Sequence, residues 1–141
     1  MLIGEMLALH LMKTHVVRAT LETTLAGALD LMDLYQVSTL PVVDSDGQLL
    51  GALSEGDIIR RLAAAALLNN GSAVAEAAAE SVARHMSVPA ISVPETMELR
   101  EAAELVLRRN LKRVPVLAEN GHVIGTLSRI DICQALVEGV L

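Results

Sequence analysis

The sequence predicts an α/β (α+β) fold assembled from two copies of one strand–helix–strand–strand–helix unit. Three observations predict it. The chain of 141 residues repeats itself at one offset of 74 positions, which takes Pro41 to Pro115, Gly47 to Gly121, Gly51 to Gly125, Ser54 to Ser128 and Asp57 to Asp131. Within each copy, short apolar runs of strand type alternate with stretches whose apolar residues recur at helical spacing. Hydrophobic residues make up 52% of the chain and aromatics only 1%, with no Phe and no Trp, so the shared core must be aliphatic.

The first copy opens with Val16 to Ala19, a short apolar run of strand type. Thr23 or Thr24 offers a helix N-cap, and Leu25, Ala28, Leu29, Leu31 and Met32 follow at helical spacing. Leu40 to Val43 is the next strand. Asp44-Ser-Asp-Gly47 is a turn in which Gly47 is free to take positive φ, and Leu49 to Leu53 returns from it. Ser54 then opens a helix through Ile58, Ile59 and Leu62. The second copy follows suit: a strand over Ala90 to Val93, a helix from about Met97 to Arg109, a strand over Val114 to Leu117, a turn at Glu119-Asn120-Gly121, a strand over Val123 to Leu127 and a helix from Ser128. The register needs no gap, and upstream it also pairs Met12 with Met86, Leu25 with Leu99, Ala28 with Ala102 and Leu31 with Leu105.

Between the copies lies an Ala-rich segment, Leu62 to Arg84, interrupted at Asn69-Asn70-Gly71. Asn followed by Gly ends one helix and Ser72 can cap the next, so the segment is expected to be a helical connector. The chain then divides into a first repeat with a lead-in helix over residues 1–69, a connector over 70–84 and a second repeat over 85–141. One copy has too little core to stand alone comfortably. Two copies burying their sheet faces against each other give pseudo-two-fold symmetry, with equivalent clefts on either side of the internal axis.

Composition removes several function classes. Net charge is −6 and there is a single Tyr, whereas nucleic-acid binders need a basic surface and stacking aromatics; no nucleic-acid partner is expected. Mean hydropathy is high at +0.48, yet the longest charge-free stretch, Leu62 to Ala75, is too short and too polar to cross a bilayer. Met1 to Leu9 carries Glu5 and no positive n-region, unlike a signal peptide, so the expected compartment is cytoplasmic. The lone cysteine, Cys133, shares a helical apolar pattern with Ile130, Leu136 and Val137 and reads as a small buried hydrophobe. His10, His15, His85 and His122 lack metal-ligand spacing, no Gly-rich phosphate loop is present, and Ser54 and Ser128 lack an evident base partner. No enzyme, metal or required cofactor is expected.

The residues that remain carry the function. A hydrophobic-Pro-Val-hydrophobic strand, a Gly-containing hairpin and Gly-x-hydrophobic-Ser-x-x-Asp at a helix start occur twice: Leu40-Pro-Val-Val-Asp44 with Gly51-Ala-Leu-Ser-Glu-Gly-Asp57, and Val114-Pro-Val-Leu117 with Gly125-Thr-Leu-Ser-Arg-Ile-Asp131. This pattern resembles the CBS domain, over residues 10 to 138, and two such repeats form a Bateman module. The resemblance implies a non-catalytic regulatory module, of the energy-sensing kind, that binds AMP, ADP, ATP or an S-adenosyl compound between the repeats. It also implies a homodimer, with any signal passing to a separate effector protein. It assigns the motif Asp to the ribose hydroxyls and the Ser to phosphate or ribose. It builds each site across repeats, so that Arg18, Thr23 and Ala28 complete the Asp131 cleft, while Ile91, Ser92, Met97 and Ala102 complete the Asp57 cleft. Thr126 and Ala52 precede the motif Ser by two and are candidates to line the base pocket. The sequence departs from the family where His10 and Arg84 replace the acid that often precedes the leading Met.

The local chemistry admits two readings of Ser-x-x-Asp. One is a helix capping box, in which Ser caps the backbone and the acid caps in return. The other is a ligand site, in which free amides at the helix start receive a phosphate and the carboxylate accepts a sugar diol. Both can hold together. The clefts are unequal, because Arg113 and Arg129 near Asp131 correspond to Thr39 and Glu55 near Asp57. Two guanidiniums suit a phosphate, and a carboxylate repels one. The Asp131 cleft is therefore expected to be the better nucleotide site, and the Asp57 cleft the weaker one. The rival reading is a ligand-free interaction or oligomerisation module, supported by the strongly apolar composition.

Overall fold

Ahead of the first copy lie a 3₁₀ turn (Ile3–Glu5) and a single helical turn, α1 (Ala8–Leu11). The first copy is β1 (Ala19–Thr20), α2 (Leu25–Tyr35), β2 (Thr39–Val43), β3 (Leu49–Ser54) and α3 (Glu55–Ala66). A further helix, α4 (Gly71–Ala78), and a 3₁₀ turn (Val82–Arg84) lead to the second copy: β4 (Val93–Pro94), α5 (Leu99–Arg109), β5 (Arg113–Leu117), β6 (Val123–Ser128) and α6 (Arg129–Glu138). The computed structural model describes residues 3–68 and 71–139. The fold is mixed α+β, with two three-stranded sheets, β1-β2-β3 and β4-β5-β6.

Local rules account for the elements. In each sheet the first pair is parallel, Ala19 against Val42 and Val93 against Val116, and the helix between supplies the crossover that a parallel pair requires. The second pair is an antiparallel hairpin with a register shift at Val42/Val43 and at Val116/Leu117. Gly47 (φ 86°) and Gly121 (φ 87°) make its turns. Thr24, rather than Thr23, caps α2, its hydroxyl accepting from Gly27 N–H at 3.0 Å. Gln36 and Asn110, 74 positions apart, end α2 and α5 in the left-handed region at φ 54° and 52°.

Several expected boundaries move. The leading strands are Ala19–Thr20 and Val93–Pro94 instead of Val16 to Ala19 and Ala90 to Val93, because only those pairs enter the parallel ladder. The second long helix starts at Leu99, since Glu98 holds extended N-cap dihedrals. Gly71 begins α4 instead of closing the helix before it; the Asn69-Asn70 part of that expectation lies outside the described residues. Cys133 is exposed rather than buried. The reason is angular: α6 buries Asp131, Ile132 and Ala135, and a period of 3.6 residues puts 130, 133 and 137 on the opposite side.

Residues up to Val16 group with those from Ile91 on, and Val17–Ala90 form the second unit. This cuts across the division 1–69, 70–84 and 85–141 read from chain order. The lead-in packs with the second copy: Leu99 N–H donates to Met6 O (2.9 Å) and Ala8 N–H to Met97 O (2.8 Å). The segment after α4 does the same for the first copy, with Leu25 N–H donating to Glu80 O (3.0 Å) and Val82 N–H to Thr23 O (2.8 Å). Lys13 then exchanges two backbone hydrogen bonds with Thr126 (2.8 and 2.9 Å), and Ser87 two with Ala52 (2.8 and 3.1 Å). The glycines of β3 and β6 permit that approach. A Cβ on Gly51 would meet Ser87 O at 2.7 Å, and one on Gly125 would meet Lys13 O at 2.9 Å and Met12 Sδ at 2.6 Å.

Each unit has its own aliphatic cluster. One contains Ala19, Leu25, Ala28, Met32, Leu40, Val42, Leu53, Ile58 and Val82. The other holds the residues 74 positions away from each of these, Val93, Leu99, Ala102, Val106, Val114, Val116, Leu127, Ile132 and Ala8, plus Ala135. Leu25, Leu40, Leu53, Leu99 and Leu127 are fully buried, each contributing about 1.5–3 kcal/mol.

Candidate functional site

Each Ser-x-x-Asp motif sits where a strand runs straight into a helix. Ser128 ends β6 in extended backbone and caps α6: its Oγ accepts from Asp131 N–H at 3.1 Å, and Asp131 Oδ2 accepts from Ser128 N–H at 3.4 Å. Ser54 and Asp57 repeat this at 3.1 and 2.8 Å at the start of α3. Both motifs are therefore capping boxes. Capping occupies one oxygen of each acid and leaves Oδ1 for something else.

The Oδ1 atoms meet different partners. Asp57 Oδ1 accepts from Arg60 Nη1 at 3.2 Å, an i,i+3 pair within α3. Asp131 Oδ1 lies 4.0 Å from Lys13 Nζ and makes no hydrogen bond among the described residues. Asp131 is buried, its side chain 10% exposed, whereas the Lys13 side chain is 67% exposed.

The structure gathers three of the predicted residues, Arg113, Thr126 and Ser128, on one face of the β4-β5-β6 sheet. Arg113 stands directly across the ladder from Ser128, and Pro115 across from Thr126, and directly opposed residues share a face. Arg113 Nη1 donates to Thr126 Oγ1 at 3.3 Å. Thr126 and Ser128 are buried. Arg129 is exposed and donates from Nη1 to Asn110 Oδ1 at 3.4 Å. In the other unit Thr39 faces Ser54 across the ladder and Ala52 faces Pro41, and Glu55 N–H donates to Ser38 O at 3.0 Å.

The residues expected to complete each site from the other repeat have these places in their own units. Arg18 is exposed. Thr23 Oγ1 accepts from Thr20 N–H at 3.0 Å. Ala28 and Ala102 are fully buried members of the two aliphatic clusters. Met97 is half-buried against its cluster, Ser92 is half-buried, and Ile91 is exposed.

Sequence reasoning missed three groups. Lys13 reaches Asp131 only through the non-local pairing of Lys13 with Thr126, which has no sequence signal. Arg60 was visible as the i,i+3 partner of Asp57. The third group centres on Glu80. Its carboxylate accepts from Arg61 Nε (2.8 Å) and Nη2 (3.0 Å), contacts His85 Nε2 at 2.8 Å and has Arg84 Nη1 at 3.5 Å. The hydrogen bonds from Arg61, and then from His85, hold the Glu80 carboxyl at about 2, below the usual 4.5. This cluster ties α3 to the segment after α4. Among the described residues no group of three His, Cys, Asp or Glu side chains converges as a metal site, and no helix is long and apolar enough to cross a membrane.

Comparison with known proteins places this geometry in context. The family model described as CBS domain matches residues 6–64 and again 79–138. A CBS domain-containing protein of Dictyostelium discoideum is 29% identical over 137 residues, which cover 95% of this chain and 93% of that protein. The inosine-5'-monophosphate dehydrogenase of Halobacterium salinarum is 30% identical over 127 residues, 90% of this chain but only 23% of the enzyme. Among solved structures, the CBS-pair protein CBSX2 from Arabidopsis thaliana, in complex with AMP, matches with a TM-score of 0.77 and 25% identity, covering 94% of this chain and 96% of that one.

Proposed function

This chain belongs to the CBS domain family, of which it carries two copies, and from that premise we propose that it is a non-catalytic regulatory module that binds an adenine nucleotide or related adenosyl compound at the Asp131 motif. The observation that carries this reading is the uncommitted oxygen of Asp131. Its carboxylate is buried and fixed in place by the capping box, yet Oδ1 makes no hydrogen bond among the described residues. A capped carboxylate whose second oxygen is met only by the exposed Lys13 ammonium at 4.0 Å can accept the hydroxyls of a ribose. The Arg113 guanidinium beside Thr126 is the natural receiver of a phosphate, since the Arg129 and Asp131 amides at the start of α6 already bond Lys112 O and Ser128 Oγ. CBSX2, a relative of almost equal length, was solved with AMP.

The same geometry supports a binding role over a catalytic one. The Ser54 and Ser128 hydroxyls accept from the amides of Asp57 and Asp131 as helix caps. The dehydrogenase's activity is not carried over, since this chain spans 23% of it.

A thermal-shift titration with AMP, ADP, ATP, NAD and S-adenosylmethionine tests the proposal. A ligand of the folded state raises Tm with log concentration once saturating. At least one adenosyl compound should do so, and Asp131→Ala should weaken it more than Asp57→Ala. Equal weakening would remove the asymmetry, and no shift with any compound would remove the ligand altogether.

A second reading, self-association as a homodimer, is favoured by α6. Its outer stripe exposes Ile130 (64%) and Val137 (82%) beside Cys133 and Leu136, an apolar face of the kind that association covers.

A further inference from the structure

We propose that Lys13 is the charge-selecting residue of the Asp131 site, favouring ligands that carry a phosphate over the bare nucleoside. The inference rests on the adenosyl-binding reading above. Lys13 is not held loosely: its N–H and C=O both pair with Thr126, at 2.8 and 2.9 Å, so its Cα is fixed at the edge of β6. Directly paired residues point their side chains to one face. Lys13, Thr126, Ser128 and Arg113 therefore share a face, with Lys13 and Arg113 on opposite flanks of Thr126. The ammonium stands 4.0 Å from Asp131 Oδ1 with its side chain 67% exposed.

That contact is weak enough to exchange. At 4.0 Å the pair makes no hydrogen bond and its ammonium is in solvent. It therefore contributes little more than a surface ion pair, about 0–1 kcal/mol, and a ribose diol can take the carboxylate from it at little cost. The ammonium, on a flexible four-carbon stem, is then released beside the newly bound ligand, where a phosphate monoester offers it a stronger partner than the carboxylate it lost. A neutral nucleoside displaces Lys13 and returns nothing to it. The other copy lacks the device. Ser87 occupies the matching place, with the matching pairing to Ala52, and Asp57 Oδ1 is held by Arg60 from its own helix.

Calorimetric titration of the full chain with adenosine and with AMP tests the proposal, using wild type, Lys13→Met and Lys13→Arg. Circular dichroism melts check that each variant folds; the exposed side chain makes that outcome expected. Lys13→Met should weaken AMP about tenfold, the loss of one charge-assisted contact, and leave adenosine within about twofold, while Lys13→Arg retains the AMP preference. Equal weakening of both ligands, or of neither, overturns the assignment of Lys13. If neither ligand binds the wild-type chain, the adenosyl-binding reading has failed and this inference falls with it.

Discussion

Alanine at Gly125 is expected to destabilise the unit built on β4-β5-β6, although Gly to Ala in a strand ordinarily gains about 0.5–1 kcal/mol. The added Cβ would lie 2.9 Å from Lys13 O and 2.6 Å from Met12 Sδ. The thioether can swing aside, but the carbonyl cannot. Restoring ordinary contact near 3.4 Å requires it to retreat by about 0.5 Å, which stretches its 2.9 Å bond from Thr126 N–H beyond the useful range. The reciprocal bond weakens with it, at about 0.5–1.5 kcal/mol each, and overpacking adds about 1–3 kcal/mol. After the intrinsic gain, the net loss is about 1–5 kcal/mol, a fall in Tm of roughly 3–20 °C. Urea and thermal melts followed by circular dichroism read it directly. Gly71→Ala is the control, since a Cβ there meets nothing within 4 Å and a helical Gly to Ala change is neutral or stabilising. A Gly125→Ala chain as stable as wild type, or more so, would refute the claim that this glycine exists to admit the lead-in strand.

Glu80→Gln should lower Tm at neutral pH by breaking the bonds to Arg61 and His85. The folded carboxyl is held at about 2 against the usual 4.5, so its stabilisation is present above the higher value and drains away as pH falls toward the lower; melts of both chains from pH 7 downward should therefore converge, and a gap that stays constant would contradict the cluster's role. Gln36→Gly should stabilise by about 0.5–1 kcal/mol, because Gln36 sits at φ 54°, where a side chain is strained. That gain survives the loss of the 2.6 Å bond from Gln36 Nε2 to Asp33 O, and a lower urea midpoint would count against it. Ile130→Glu should leave monomer stability within about 0.5 kcal/mol, as befits a surface position, while abolishing the dimer in sedimentation experiments; a dimer that persists would move the interface off α6.

Much of the fold was legible because each copy's elements are set by short-range rules. Gly47 and Gly121 mark the hairpin turns, Ser54 and Ser128 mark the helix starts, and the 74-residue register predicts that one copy's core maps onto the other's. The illegible parts are non-local or depend on which of two apolar stripes faces in. On α6, Ile132 with Ala135 and Ile130 with Val137 are equally good helical stripes, and only packing chooses the first; Cys133 went to the wrong side for that reason. The two-residue strands Ala19–Thr20 and Val93–Pro94 are defined by their partners in β2 and β5, so apolar character alone placed them too early. The capping boxes of Ser54 with Asp57 and Ser128 with Asp131 were readable from spacing. Lys13 was not, because nothing in the sequence around Met12 announces a pairing with Thr126 across more than a hundred residues.

The correspondence between the two cores fails at one place, and the failure is informative. Among the described residues, Ala135 is the one buried member of its cluster without a counterpart in the other, where the matching residue is Arg61. The residues 74 positions apart in the two flanking segments also differ: Met6 packs against the aliphatic cluster in one unit, and Glu80 grips Arg61 in the other. One backbone join is thus closed by apolar contact in one unit and by an ion cluster in the other. Apolar burial is indifferent to pH and little affected by salt, whereas partly exposed ion pairs are screened by salt and lost with protonation. The motif acids differ as well, Lys13 from the lead-in meeting Asp131 at 4.0 Å and Arg60 from the same helix meeting Asp57 at 3.2 Å. Matched backbones carrying unmatched chemistry argue that the two halves are not interchangeable. The half with the electrostatically held segment is the one whose join should respond first to acid and salt.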